Sequence, residues 1–142
     1  MRIMGIDYGD SRIGIAVSDP FGWTAQGLDT IKKGAAGDGE ALKKICLLVK
    51  QHDVEKIIVG FPKNMNGTLG PRADKTQEFI DMLAEKTGKE IIKWDERLTT
   101  VAAGKAMREM GIKASKNKEK VDRIAAVYIL QGYLDSVGRS KQ

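Results

Sequence analysis

Two apolar stretches, Arg2 to Asp7 and Arg12 to Ser18, flank the tetrapeptide Tyr8-Gly9-Asp10-Ser11 near the start of the sequence. Gly9 and Asp10 suit a tight reversal, so the two stretches form a β-hairpin. The second stretch is apolar almost without alternation, which places it deep in a sheet covered on both faces. Any fold for this chain must therefore cover both sides of its first hairpin. The first stretch nevertheless ends in an acid, Asp7. A carboxylate at the end of a buried strand costs several kcal/mol unless a cation or a set of hydrogen-bond donors receives it. Asp7 is either a turn residue at the surface or a ligand in a site.

The remaining pattern supplies the cover. Asp19-Pro20 turns the chain into "FGWTAQGLDTI", which reads as a third antiparallel strand. Leu42, Ile45 and Val49 repeat at helical spacing and predict a helix ending near His52, followed by the short buried strand "KIIVG". The stretch "FPKNMNGTLGPRA" has no periodicity and is rich in Pro, Gly and Asn, so it is a loop. It follows the carboxyl end of a parallel strand, where α/β sheets commonly bind ligands. A second helix buries Phe79, Ile80 and Leu83 and stops at Thr87-Gly88, and "EIIKWDE" is the next strand. "TTVAAGKAMREMG" reads as a third helix with a Thr cap and Gly111 at its end. A basic, polar stretch leads into a last helix from about Lys118 to Ser136. The order describes an antiparallel meander followed by alternating helices and strands, a mixed α/β sheet flanked by helices. At 142 residues, one domain over residues 1–142 is expected.

No apolar run approaches the length of a bilayer span, so a membrane is not among the expected partners. The first strand begins at the second residue, which leaves no room for a cleaved leader and points to the cytoplasm. Cys46 is the one cysteine. It lies in the apolar "ALKKICLLVK" and is expected in the core. The formal charge of +5 favours polyanionic partners.

On a wheel of the last helix, Ala125, Ala126, Ile129 and Tyr133 define an apolar arc, with Lys120, Arg123, Gln131 and Asp135 opposite. Asp122 falls inside the apolar arc and should face the sheet. Asp7 ends the first strand and Asp95-Glu96 ends the fifth. Carboxylates converging from separate elements repel one another unless a divalent cation sits between them. Oxygen ligands without a Cys or His cluster suit Mg²⁺ or Mn²⁺ rather than zinc. Two such ions about 4 Å apart activate a water and stabilise the leaving oxygen in phosphodiester cleavage. Asp95 is a candidate auxiliary ligand, but neighbours on a strand point to opposite faces, so Asp95 and Glu96 are not both expected in the site. Lys63, Arg72, Lys75, Lys113, Lys116, Lys118 and Lys120 flank the acids in sequence and can form a basic rim for phosphates.

"GIDYGDSRIGIAVSD", "IIVGFPKNMNGT", "WDERLTT" and "KVDRIAAVYILQGYL", in this order and over nearly the whole chain, resemble the YqgF family, also called RuvX. Its members are described as pre-16S rRNA nucleases and, earlier, as Holliday junction resolvases. The resemblance implies an RNase H-like fold, with a mixed five-stranded sheet. It implies a hydrolase of phosphodiester bonds with Asp7, Glu96 and Asp122 as catalytic and metal-holding acids. Arg97 beside the second acid, Lys63, Asn64 and Asn66 in the loop after the fourth strand, and Arg72 are then nucleic-acid contacts. The implied substrate is an RNA precursor, the 5′ end of pre-16S rRNA, with pre-ribosomal particles as partners and the protein a monomer or homodimer. The sequence departs from the wider RNase H-like class at Gly60, where several such nucleases carry an acid, and at Ala125, one turn after Asp122.

Three alternatives remain open. A Holliday junction resolvase would act on branched DNA. An RNA or ribosome-assembly binding module would keep the fold without turnover. "GIDYGDSRIGIAV" is also similar to the first phosphate-binding hairpin of the actin, Hsp70 and sugar kinase superfamily, although such proteins close two domains on a nucleotide.

Overall fold

The computed structural model describes residues 1–34, 37–62, 70–95 and 118–140. The opening hairpin forms as its alternation predicts: β1 (Arg2–Tyr8) pairs antiparallel with β2 (Arg12–Ser18), with Asp7 opposite Gly14. The Gly9 amide donates to the Arg12 carbonyl across the turn at 2.9 Å. The next strand, β3 (Ala25–Lys32), starts later than the alternation of residues 21–31 suggests. The Asp19 carboxylate accepts from the amides of Trp23 (2.7 Å) and Thr24 (3.0 Å), and this Asx turn keeps residues 19–24 out of the strand. The same amides, Thr24 foremost, hold the Asp19 carboxyl below its ordinary range. Phe21 and Trp23 are left exposed on the turn, their rings 5.7 Å apart.

Helix α1 (Gly39–Gln51) buries Ala41, Leu42, Ile45 and Val49 and ends at His52. Cys46 on this helix is half-buried rather than in the core. Asp53, at φ +51°, reverses the chain into β4 (Val54–Phe61). Helix α2 (Pro71–Thr87) buries Phe79, Ile80 and Leu83 and stops where Gly88 takes a left-handed conformation. Then come β5 (Glu90–Asp95) and, after the undescribed residues 96–117, α3 (Lys118–Ser140), which runs past the expected end at Ser136. The helix expected over residues 99–111 lies outside the described residues.

The five strands stand in the order β3-β2-β1-β4-β5, with β4 parallel to both β1 and β5. One face packs Met4, Ile6, Ile13, Ile15, Ile57 and Val59 against α1 and α2. The other packs Ala16 and Ile58 against Ala126, Ile129, Leu130 and Leu134 of α3. Of the apolar arc expected on α3, Ala126 and Ile129 are buried, whereas Ala125 and Tyr133 are only half-buried, Tyr133 lying edge-on to Trp94. Arg123 and Gln131 are half-buried rather than turned fully to solvent as the wheel implies. Helix α3 crosses β1, β2 and β3, and so its flank is received by the sheet edge. Arg123 lies over Gly27 and Gln131 bonds the Ala25 amide and the Trp23 carbonyl. No described helix is long and apolar enough to cross a membrane.

The contact between α3 and the sheet is close enough to require glycine. A β-carbon built on Gly14 would stand 2.1 Å from the Asp122 carbonyl oxygen, and one on Gly5 would stand 2.6 Å from Leu130 Cβ.

On the opposite face, Tyr8 stacks on Phe79 and donates its hydroxyl to Asp38 at 2.6 Å, while Lys33 bonds the same hydroxyl (2.9 Å) and pairs with Asp38 (3.3 Å). Burial and the Asp38 carboxylate raise the Tyr8 phenol well above its ordinary value, so it stays a neutral donor. Tyr8→Phe is expected to cost about 1–3 kcal/mol, because the bonds of the hydroxyl to Asp38 and from Lys33 are lost while the Lys33–Asp38 pair survives. Urea denaturation of the variant checks this.

Candidate functional site

Alternation along β1 turns Met4, Ile6 and Tyr8 toward α1 and α2, and Ile3, Gly5 and Asp7 toward α3. Asp7 thus ends the central strand, half-buried, on the α3 face. Its partner across the hairpin is Gly14, and the backbone of Asp122 rests on that glycine. The missing side chain at position 14 lets the first turns of α3 reach the sheet one strand away from Asp7, about 4.8 Å in the pairing direction. Thr30 Oγ1 donates to the Glu119 carbonyl at 2.6 Å and Lys32 pairs with the Glu119 carboxylate at 3.4 Å, so this end of α3 is held to β3 as well.

The Asp122 side chain is 17% exposed and accepts from Arg12 Nε at 2.6 Å. Arg12 is two residues from Gly14 on β2 and shares its face, diagonal to Asp7. No sequence-based expectation singled it out, although the hairpin register is enough to place it beside the acids.

Asp95 pairs in register with Phe61, which belongs to the core under α1 and α2, so Asp95 lies on the face opposite Asp7. Its neighbour Trp94 packs on the α3 face, so the two diverge as strand neighbours do, and Asp95 does not share the face of Asp7. Gly60 lies one position beyond the Ile6–Val59 pair, on the α3 side with Ile58, and brings no carboxylate to that face. Among the described residues no three His, Cys, Asp or Glu side chains form a group able to hold a metal ion. Asp7 and Asp122 are two; Glu96 lies outside the described residues, as do Lys63, Asn64, Asn66, Arg97, Lys113 and Lys116. Arg72 is exposed at the start of α2, which the β4–α2–β5 crossover sets at the same end of the sheet as Asp7. Lys75 and Lys120 are exposed.

An antiparallel meander continued by parallel strands, an acid near the end of the central strand and a second acid brought over the neighbouring strand by the last described helix together define an RNase H-like α/β protein. T. thermophilus RuvC in complex with Holliday junction substrate superposes with a TM-score of 0.62 at 15% identity, covering 96% of both chains. The fowlpox virus Holliday junction resolvase superposes with a TM-score of 0.57 at 14% identity, covering 96% of this chain and 99% of that one. At such identities the likeness is one of fold. The model of the RuvX family, described as Holliday junction resolvase, matches residues 1–136, and the chain belongs to that family. A protein of Acetivibrio thermocellus named "Putative pre-16S rRNA nuclease" is 64% identical over 98% of this chain and 99% of its own length. One of the same name from Ruminiclostridium cellulolyticum is 54% identical over 100% of this chain and 99% of its own.

Proposed function

We propose that this protein is a divalent-metal-dependent nuclease of structured nucleic acid that acts in the cytoplasm on the 5′ end of pre-16S rRNA. The observation that carries the reading is that Asp122, from the far end of the sequence, lies over Gly14, the residue paired with Asp7, on the same face of the sheet. Carboxylates gathered at a half-buried strand end fit a hard cation such as Mg²⁺ or Mn²⁺, while Cys46 and His52 belong to α1 on the other side. Asp7, Glu96 and Asp122 would hold the cation, which when bound activates a water and stabilises the leaving oxygen. Arg97, Arg72, Lys63, Asn64 and Asn66 would contact the nucleic-acid backbone, and the formal charge of +5 draws a polyanion toward an acidic centre. The naming of relatives at 54% and 64% identity supports RNA over branched DNA. The family description keeps the junction as the second substrate class.

The test is cleavage of labelled pre-16S rRNA and of a four-way DNA junction side by side, with Mg²⁺, with Mn²⁺ and with chelator. Cutting of the RNA that needs metal and stops in chelator is expected. Cutting of the junction alone would transfer the activity to branched DNA, where two equivalent scissile strands call for a symmetric dimer. Metal-independent binding of RNA without cutting would overturn the nuclease reading in favour of a binding module.

A further inference from the structure

We propose that Arg12 is a backbone-phosphate-binding residue, clamped by Asp122 so that its terminal amino groups meet the nucleic acid; this rests on reading the Asp7 end of the sheet as the substrate site. Arg12 uses only Nε toward Asp122, at 2.6 Å, and among the described residues its two Nη groups have no hydrogen-bond partner. A guanidinium serving only as an ion-pair brace gains most by meeting a carboxylate with two parallel bonds. One bonded by Nε alone keeps its outer edge for another planar or tetrahedral oxyanion. The side chain is 29% exposed, so that edge is accessible while the stem is covered. Its backbone is fixed on both sides, by the Gly9 amide and by pairing with Lys32 on β3. The arm is therefore presented in a defined direction, and little side-chain freedom is lost when it is engaged.

Charge gives the arrangement a purpose. Acids that attract a cation repel the phosphodiester that must approach them, and a donor beside an acid offsets that repulsion where the backbone enters. Among the neighbouring described cations, Lys32 pairs with Glu119, Lys33 with Asp38 and Tyr8, and Arg123 donates to Thr30, while Lys120 is exposed at the start of α3. Arg12 is thus a described cation on the Asp7 face with donors in reserve.

Binding is read by fluorescence anisotropy of a labelled RNA hairpin carrying the pre-16S 5′ processing sequence, in chelator so that nothing is cut, over about 50 to 300 mM KCl. Arg12→Gln is expected to weaken Kd about tenfold and to lower the slope of log Kd against log salt by about one, the loss of a single phosphate contact. An unchanged slope and affinity would overturn the proposal, because a brace alone contributes no counterion release. If Arg12→Gln does not fold, Arg12→Lys decides. Its ammonium preserves a cation next to Asp122 but cannot hold the acid and offer a fork together. Near-wild-type thermal stability with about tenfold weaker binding supports the proposal, and wild-type affinity overturns it. No cleavage is read, so a wild-type protein that cuts neither substrate leaves this result interpretable. Metal-dependent cutting by wild type beside an unchanged Arg12→Gln slope removes the role of Arg12 alone.

Discussion

Asp7→Asn is expected to lower kcat/KM for precursor cleavage by more than about 100-fold, beyond what disturbing the outer shell of a metal site usually costs. Asparagine keeps the size and shape of the aspartate at this half-buried strand end and removes the charge a hard cation requires. The fold should survive, with the thermal midpoint within a few degrees of wild type. Binding should respond in the opposite direction. One less negative charge beside a polyanion tightens Kd in chelator, so the variant binds its RNA at least as well as wild type while failing to cut it. Initial rates and anisotropy on the same preparation measure both quantities. Cleavage persisting near the wild-type rate would remove Asp7 from the chemistry.

Gly14→Ala is expected to be the most damaging single methyl group. The new β-carbon would meet a backbone carbonyl 2.1 Å away, that of Asp122, and neither strand nor helix has a flexible end that can yield. The first turns of α3 must lift from the sheet, at a cost of about 3 kcal/mol or more. For a chain of this length that lowers the midpoint by about 10 °C. Cleavage should fall with it, because lifting α3 carries Asp122 and its bond to Arg12 away from the Asp7 end of the sheet. Gly138→Ala is the control: it lies on the same helix with open space around it, and should be neutral or stabilising by up to about 1 kcal/mol. Calorimetry of the two variants separates the clash from any general effect of alanine. Equal midpoints would show that α3 does not rest on Gly14.

Much of this architecture is readable from patterning. The unbroken apolar run of β2 demands cover on both faces, and both covers are present. Asp122 stands out because an acid on an apolar arc needs a reason, and in the structure it faces the sheet. Asp95 is separated from the α3 face by strand periodicity alone. Three features were hidden from such patterns. The start of β3 is set by the Asp19 carboxylate capturing two amides, which hydropathy does not register. Arg123 and Gln131 read as solvent-facing because a wheel contains no sheet edge to receive them. Arg12 reads as an ordinary polar strand end until the hairpin register and the place of α3 are both known.

The docking of α3 on Gly5 and Gly14 bears on when the protein becomes competent. Every strand of the sheet precedes α3 in the chain, and the core on that face closes only when Ala126, Ile129 and Leu130 arrive. Asp122 travels with them. A nascent chain still short of α3 has Asp7 but lacks Asp122, and its exposed sheet face marks it as unfinished. Completion of the core and arrival of Asp122 are one event in the life of the molecule, so a chain that has failed to fold is also a chain that cannot cut.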